Sequence, residues 1–291
     1  MAYPLIAYFA GGATLYFEQG SLLFPAPKTV AKLTPADAGL RFEDLRIPVN
    51  AEDHIHGWWI PAEASSESVI LAFHGNGYTL EDMAAGETGD LHEIGANLLL
   101  VDYRGYGTSS ATSPSEATVN EDAKAALAWL LRRHGTPVGC VFLLGRSIGS
   151  GPATYLASTT PGLAGVILES PLSSIDDAAN RFWFARIYPT GLMLHTHFDN
   201  LSRIGSVRAP LLIVSGTADT LTPPWMARAL FARAGGPKQL HLVPGASHND
   251  LLEVGGAALA RALRTFVAAG GRRLTTPARL ARTGAVPPAW W

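Results

Sequence analysis

The chain has 291 residues, 47% of them hydrophobic, which is enough apolar material to fill a sizeable globular core. A formal net charge of −2 with scattered basic residues supplies no cationic face of the kind nucleic acid requires, so no nucleic-acid partner is expected. A single cysteine excludes a disulfide framework and a cysteine-based zinc cluster, and the nine histidines lack metal-ligand spacing.

The N-terminal stretch YPLIAYFAGGATLYF (3–17) carries no charge until Glu18. As a helix rising about 1.5 Å per residue it would span about 22 Å, short of the ~30 Å hydrocarbon core. It lacks the basic region and cleavage site of a signal peptide, and Gly11-Gly12 weakens it as an isolated helix. Two readings stand: contact with a membrane surface through residues 3–17, or a helix docked on the body of the protein. Localisation is accordingly cytoplasmic or membrane-associated. The chain divides into this apolar segment and linker (1–30), a main domain (31–270), and a tail (271–291) rich in Pro, Ala and Arg.

Short strand-like runs then alternate with helix-like segments. FEDLRIPV (42–49) and HIHGWWIPA (54–62) read as an antiparallel opening pair, and SVILAFHG (68–75) is apolar enough to be covered on both faces. A helix near 79–94, the strand ANLLLVDY (96–103) and a helix from Ser115 to His134 follow, the last with Ala125, Leu127, Ala128, Trp129 and Leu131 as its apolar side. Next come VGCVFLLG (138–145), in which Cys140 reads as a buried small hydrophobe, a helix from near Ser147, and AGVILES (164–170).

From Pro171 to Arg208 the rhythm breaks into a long, aromatic-bearing excursion, a length that inside a compact domain marks a functional segment. It resumes with PLLIVSGTAD (210–219), a helix near 223–235, QLHLVPGASH (239–248) and a closing helix near 250–269. The alternation predicts an α/β fold with a mostly parallel central sheet of about eight strands, helices on both faces and a cap-like insertion at 171–208.

In an open parallel sheet, ligands bind at the carboxyl ends of the strands. His74-Gly75-Asn76-Gly77, Ser147, Asp219 and His248 each follow a predicted strand. In Gly145-Arg146-Ser147-Ile148-Gly149 a serine sits at a strand-to-helix turn, with glycines two residues either side to clear the Cβ atoms such a turn would crowd. A neutral serine needs a base, and the base a third group to fix its tautomer. His248 and Asp219 suit those roles, with Glu169 the competing third member. The chain order Ser, Asp, His is the one associated with this turn. The oxyanion that forms needs backbone donors, for which Ile148 N–H and Asn76 N–H are the candidates, with Gly77 the second choice to Asn76. His74 is read as bracing its loop, and Asp102 and Arg104 as structural polar contacts. Arg146 has no assigned role.

The motifs FHGNG (73–77), LLLVDYRGYGTS (98–109), LLGRSIGSGPA (143–153), ILESPLSS (167–174), SGTADTLTPP (215–224) and PGASHND (244–250) together resemble the α/β-hydrolase superfamily. Within it the chain looks most like the Bem46/ABHD13 and ABHD17-like serine hydrolases. The resemblance implies a Ser147-Asp219-His248 triad, an oxyanion hole at Asn76 and Ile148, and hydrolysis of a small-molecule acyl ester or thioester through an acyl-enzyme, with no cofactor and no metal. It also implies an apolar membrane-proximal start followed by a phrase like LLFPAP, matched here by Ser21–Pro27.

Substrate contacts are expected from Tyr78 and from the excursion, whose Phe182, Trp183, Phe184, Ile187, Tyr188, Leu192 and Met193 could wall an acyl pocket; among these Phe182, Trp183 and Tyr188 are the candidates for binding. Acyl transfer or perhydrolysis by the same triad, and a catalytically silent binding protein, are the alternatives. The serine nucleophile argues against epoxide hydrolase or dehalogenase chemistry, which uses an aspartate on this fold.

Overall fold

The computed structural model describes residues 2–27, 32–133 and 135–270, so the predicted tail at 271–291 lies outside the described residues. In chain order the elements are α1 (Ala2–Leu23), β1 (Glu43–Pro48), β2 (His54–Ile60), β3 (Val69–Phe73), α2 (Leu80–Gly86), α3 (Thr88–His92), β4 (Asn97–Val101), α4 (Glu116–Arg133) and β5 (Val141–Arg146). Then follow α5 (Ser150–Thr159), β6 (Gly165–Glu169), α6 (Ile175–Ala179), α7 (Thr190–Met193), α8 (Asn200–Arg203), β7 (Leu211–Gly216), α9 (Pro224–Arg233), β8 (Lys238–Val243) and α10 (Leu251–Ala268).

The eight strands form one sheet in the order β1-β2-β4-β3-β5-β6-β7-β8. β1 and β2 pair antiparallel, β2 meets β4 antiparallel, and every later pairing is parallel. This is the mostly parallel sheet that the sequence predicts. Every residue of β3, β5, β6 and β7 is buried, as strands covered on both faces must be.

Because side chains alternate along a strand, the sheet feeds two cores. Leu71, Phe73, Leu143 and Ile213 pack with Ala126, Leu156 and Leu230 of α4, α5 and α9. Ile70, Ala72, Leu144 and Val214 pack on the other face with Met83, Leu91 and Leu259 of α2, α3 and α10. The two faces end at one rim, where the parallel strands finish.

Several local expectations shift. The helix predicted near 79–94 is two short helices, broken at Glu87 between Gly86 and Gly89, residues that weaken a helix interior. The buried stripe of α4 is Val119, Ala123, Ala126, Leu127, Leu130 and Trp129, whereas Ala125, Ala128 and Leu131 are only half-buried, so the helix is rotated from the expected face. Cys140 is half-buried rather than buried, because Val138–Cys140 forms a 3-10 turn ahead of β5 instead of the start of the strand.

The 171–208 excursion holds three short helices, α6, α7 and α8, and two 3-10 turns, and it is anchored to the sheet by buried Leu172, Ile175, Phe198 and Ile204. α1 docks on this excursion. Tyr8 stacks on Tyr188 at 4.9 Å, Tyr188 Oη donates to the Tyr8 carbonyl (3.0 Å), and Gln19 Nε2 donates to the Met193 carbonyl (3.0 Å). A Cβ on Gly11 would stand 2.5 Å from Tyr188 Oη, so the paired glycines that weaken α1 as an isolated helix admit its partner. Tyr3, Leu5, Ile6, Phe9 and Phe17 stay exposed, yet no helix among the described residues is long and apolar enough to cross a membrane.

Candidate active site

β5 delivers Ser147 to the rim in a 3-10 turn, with φ of 54°. That left-handed backbone is unusual for a residue with a Cβ and marks a strained position held by its surroundings. Those surroundings need both flanking glycines: a Cβ on Gly145 would lie 2.5 Å from the Gly149 carbonyl oxygen and 2.7 Å from Ala153, and one on Gly149 would strike the Phe73 and His74 carbonyls.

The loops after β7 and β8 bring the other two residues to the same point. His248 Nε2 is 2.9 Å from Ser147 Oγ, and His248 Nδ1 is 2.8 Å from Asp219 Oδ2. Among the described residues no hydrogen bond joins Glu169 to His248, so geometry favours Asp219 over its competitor. Asp219 Oδ1 accepts the Leu221 and Thr222 N–H groups (2.8 and 2.9 Å), which leaves Oδ2 facing the imidazole. Burial pushes the Asp219 carboxyl up, but hydrogen bonds from His248 and Thr222 outweigh it and hold the pKa below the ordinary 3.8. The His248 loop is in turn pinned by Ser247 N–H and Oγ on the Asp250 carboxylate (2.6 and 2.8 Å).

Thr222 is a participant that sequence reasoning missed. Its Oγ1 lies 2.9 Å from Asp219 Oδ2, 2.9 Å from the Ser170 carbonyl and 3.1 Å from His248 Nδ1, tying three loops together. The signal was local, an Asp-x-x-Thr turn in which the side chains of both ends meet.

The 74–79 loop stands opposite. Gly75 approaches Ser147 so closely that a Cβ there would be 3.5 Å from the serine's own. Asn76 N–H donates to none of the described residues, and Ile148 N–H, in the first turn after the strand, has no partner within its helix. His74 braces this loop: Nδ1 is 2.9 Å from the Gly75 carbonyl and Nε2 lies 3.4 Å from Asp102 without a hydrogen bond to it, while Asp102 Oδ1 accepts Leu80 N–H (3.0 Å). Arg104 is buried against Asp53, Glu121 and Asp122, a structural cluster on α4 and the β1–β2 turn.

A cavity of about 350 Å³ opens beside Asn76, lined by Leu15, Leu22, Phe182, Phe184, Tyr188 and Met193 among others. Of the expected substrate contacts, Phe182 and Tyr188 line it. Trp183 does not: Phe182 and Phe184 stack on each other at 5.4 Å, and the residue between them turns outward, 71% exposed. Ile187 and Leu192 are likewise exposed and do not wall it. Tyr78 is also elsewhere, because Gly77 (φ 71°) turns the chain between Asn76 and Tyr78 and sends that ring to a second, polar cavity beside Arg146. Three leucines of this wall (Leu15, Leu22 and Leu23) come from α1, which no local pattern could have revealed.

Sheet order, a strained serine at the end of β5 and a histidine–carboxylate pair on the loops after β8 and β7 are the marks of an α/β hydrolase. The chain belongs to the α/β-hydrolase superfamily, and within it to proteins like Alpha/beta hydrolase domain-containing protein 17B. It is 32% identical to the human protein of that name over 214 residues, covering 72% of this chain and 69% of the relative. An uncharacterized protein of Mycobacterium tuberculosis is 33% identical over 275 residues, covering 91% of this chain and 95% of its own. The family described as Serine aminopeptidase, S33 matches residues 64–197. Among solved structures, the esterase Pf2001 of Pyrococcus furiosus shares the fold with a TM-score of 0.70 at 21% identity, over 84% of this chain and 95% of that one.

Proposed function

We propose that the protein is a serine hydrolase that cleaves carboxylic esters or thioesters through an acyl-enzyme on Ser147. The observation that carries this reading is the unbroken relay from Ser147 Oγ to His248 Nε2 and from His248 Nδ1 to Asp219, set beside an apolar cavity. As Ser147 Oγ attacks the acyl carbonyl carbon, its proton passes to His248 Nε2, and Asp219 steadies the imidazolium. Negative charge gathers on the former carbonyl oxygen, where the Asn76 and Ile148 N–H groups stabilise it. Collapse of the tetrahedral intermediate breaks the bond to the leaving alcohol or thiol, which takes the proton from His248. Water then repeats the sequence and frees the acid. The acyl chain lies in the cavity walled by α1 and the 171–208 segment, whose apolar lining suits it.

A fluorophosphonate probe and a p-nitrophenyl ester test this together. The wild-type protein is labelled on Ser147 and turns the ester over, and Ser147→Ala lowers kcat by about 10³-fold or more. Wild-type turnover in that variant would remove the proposal. Product analysis with a competing alcohol separates hydrolysis from acyl transfer.

A further inference from the structure

A second cavity, of about 480 Å³, adjoins the site at three points. Gly77 and Tyr78, which line it, follow Asn76; Arg146 precedes Ser147; and Asn249 follows His248. It lies between α2–α3 and the start of α10. Among the described residues its lining sets five carboxyl groups, on Asp82, Glu87, Asp90, Glu169 and Glu253, against one guanidinium, Arg146.

That guanidinium is already matched. Arg146 forms an ion pair with Glu87, donates to the Asn249 carbonyl (3.3 Å) and lies 5.5 Å from the Tyr78 ring centre. Asp82 is committed too, its Oδ2 accepting the Thr79 N–H (2.7 Å) and hydroxyl (3.0 Å) at the start of α2. Glu169 differs from both. It is only 4% exposed, it lines the cavity, and its Oε1 has no hydrogen-bonding partner. A buried carboxyl oxygen without a donor is an expensive arrangement, and a ligand that brings the donor resolves it. A metal ion fits poorly, since no group of three or more His, Cys, Asp or Glu among the described residues is placed to hold one. An anionic group would meet a surplus of like charge.

We propose that this cavity receives the leaving group of the substrate, and that the leaving group is an alcohol or thiol bearing a protonated amine. The proposal rests on the serine-hydrolase reading: with the carbonyl at Ser147 and the acyl chain beside Asn76, the other half of the ester points to the cavity next to Arg146 and Asn249. The ammonium donates to Glu169 Oε1, and Glu253 and Asp90 add attraction at the rim. It keeps its proton throughout, and His248 alone protonates the departing oxygen or sulfur.

The test compares kcat/KM for the 4-aminobutyl and pentyl esters of one fatty acid, which differ by an ammonium in place of a methyl group. Wild-type protein is expected to favour the aminobutyl ester by about tenfold, the size of one charge-assisted hydrogen bond. That ratio falls severalfold in Glu169→Gln. Glu253→Gln, an exposed change that keeps the fold, lowers it about twofold and serves where Glu169→Gln does not fold. A fluorophosphonate label on Ser147 is read in parallel. Labelling with a wild-type ratio at or below one, or with a ratio unmoved by both variants, overturns the cavity assignment and leaves the hydrolase reading standing. Absence of labelling overturns both.

Discussion

Ser147 Oγ and His248 Nε2 stand 2.9 Å apart although 101 positions separate them in the chain. The contact exists because β5 and β8 end at the same rim of one parallel sheet, and it is only as good as the groups that hold the imidazole from behind. Asp219 and Thr222 are those groups.

Asp219→Asn keeps the shape of the site but offers an amide where His248 Nδ1 needs an acceptor for its proton. kcat for ester hydrolysis is expected to fall by about 10³–10⁴-fold. Thr222→Val removes one bridging hydroxyl and is expected to lower kcat by about tenfold with KM little changed, the value of a single hydrogen bond. Steady-state kinetics on one ester reads both; equal losses in the two variants would contradict the ranking.

Gly149→Ala places a methyl group against the Phe73 and His74 carbonyl oxygens, backbone atoms that cannot rotate aside. The expected cost is about 1–3 kcal/mol in denaturant unfolding, together with loss of activity as Ser147 is displaced. An unfolding midpoint equal to the wild type's would show that the turn has more room than its geometry indicates.

Tyr188→Ala removes the ring that stacks on Tyr8 and lines the apolar cavity. Two measurements should change together: α1 becomes accessible to limited proteolysis, and the dependence of kcat/KM on acyl chain length flattens. Trp183→Ala, at an exposed position outside the cavity, serves as the control and should alter neither.

Burial raises the Glu169 carboxyl pKa above the ordinary 4.5, with the Arg146 guanidinium opposing in part. A carboxyl whose pKa is higher folded than unfolded loses stability as pH rises from the unfolded value through the folded one. Relative to wild type, Glu169→Gln should therefore gain Tm as pH climbs from 4 to 8. A Tm difference that is constant with pH would mean that Glu169 does not titrate in this window.

The sheet was legible because buried parallel strands leave continuous apolar runs; six of the eight strands fall within the stretches that sequence reading marks out, and β5 and β8 each overrun theirs by one residue, at Arg146 and Lys238. The residues of the relay were legible for a related reason: each directly follows such a run, at the end of the sheet where ligands bind. Errors arose where side-chain direction mattered. Trp183 was expected to touch substrate from its position in an aromatic segment, but a 3-10 turn points it to solvent, and the left-handed Gly77 sends Tyr78 to the polar cavity rather than the apolar one. Thr222 was visible in the Asp-x-x-Thr spacing and went unread.

Local sequence thus determined the strand and helix order, the glycine-cleared turn at Ser147 and which polar residues reach the rim, because each of these depends on neighbours a few positions away. Tertiary structure decided that α1 closes one side of the apolar cavity, through Gln19 and Met193 at a separation of 174 residues. It decided also that Arg146 pairs with Glu87 and leaves Glu169 Oε1 without a donor. Such pairings depend on how distant elements pack in three dimensions, and no periodicity along the chain records that.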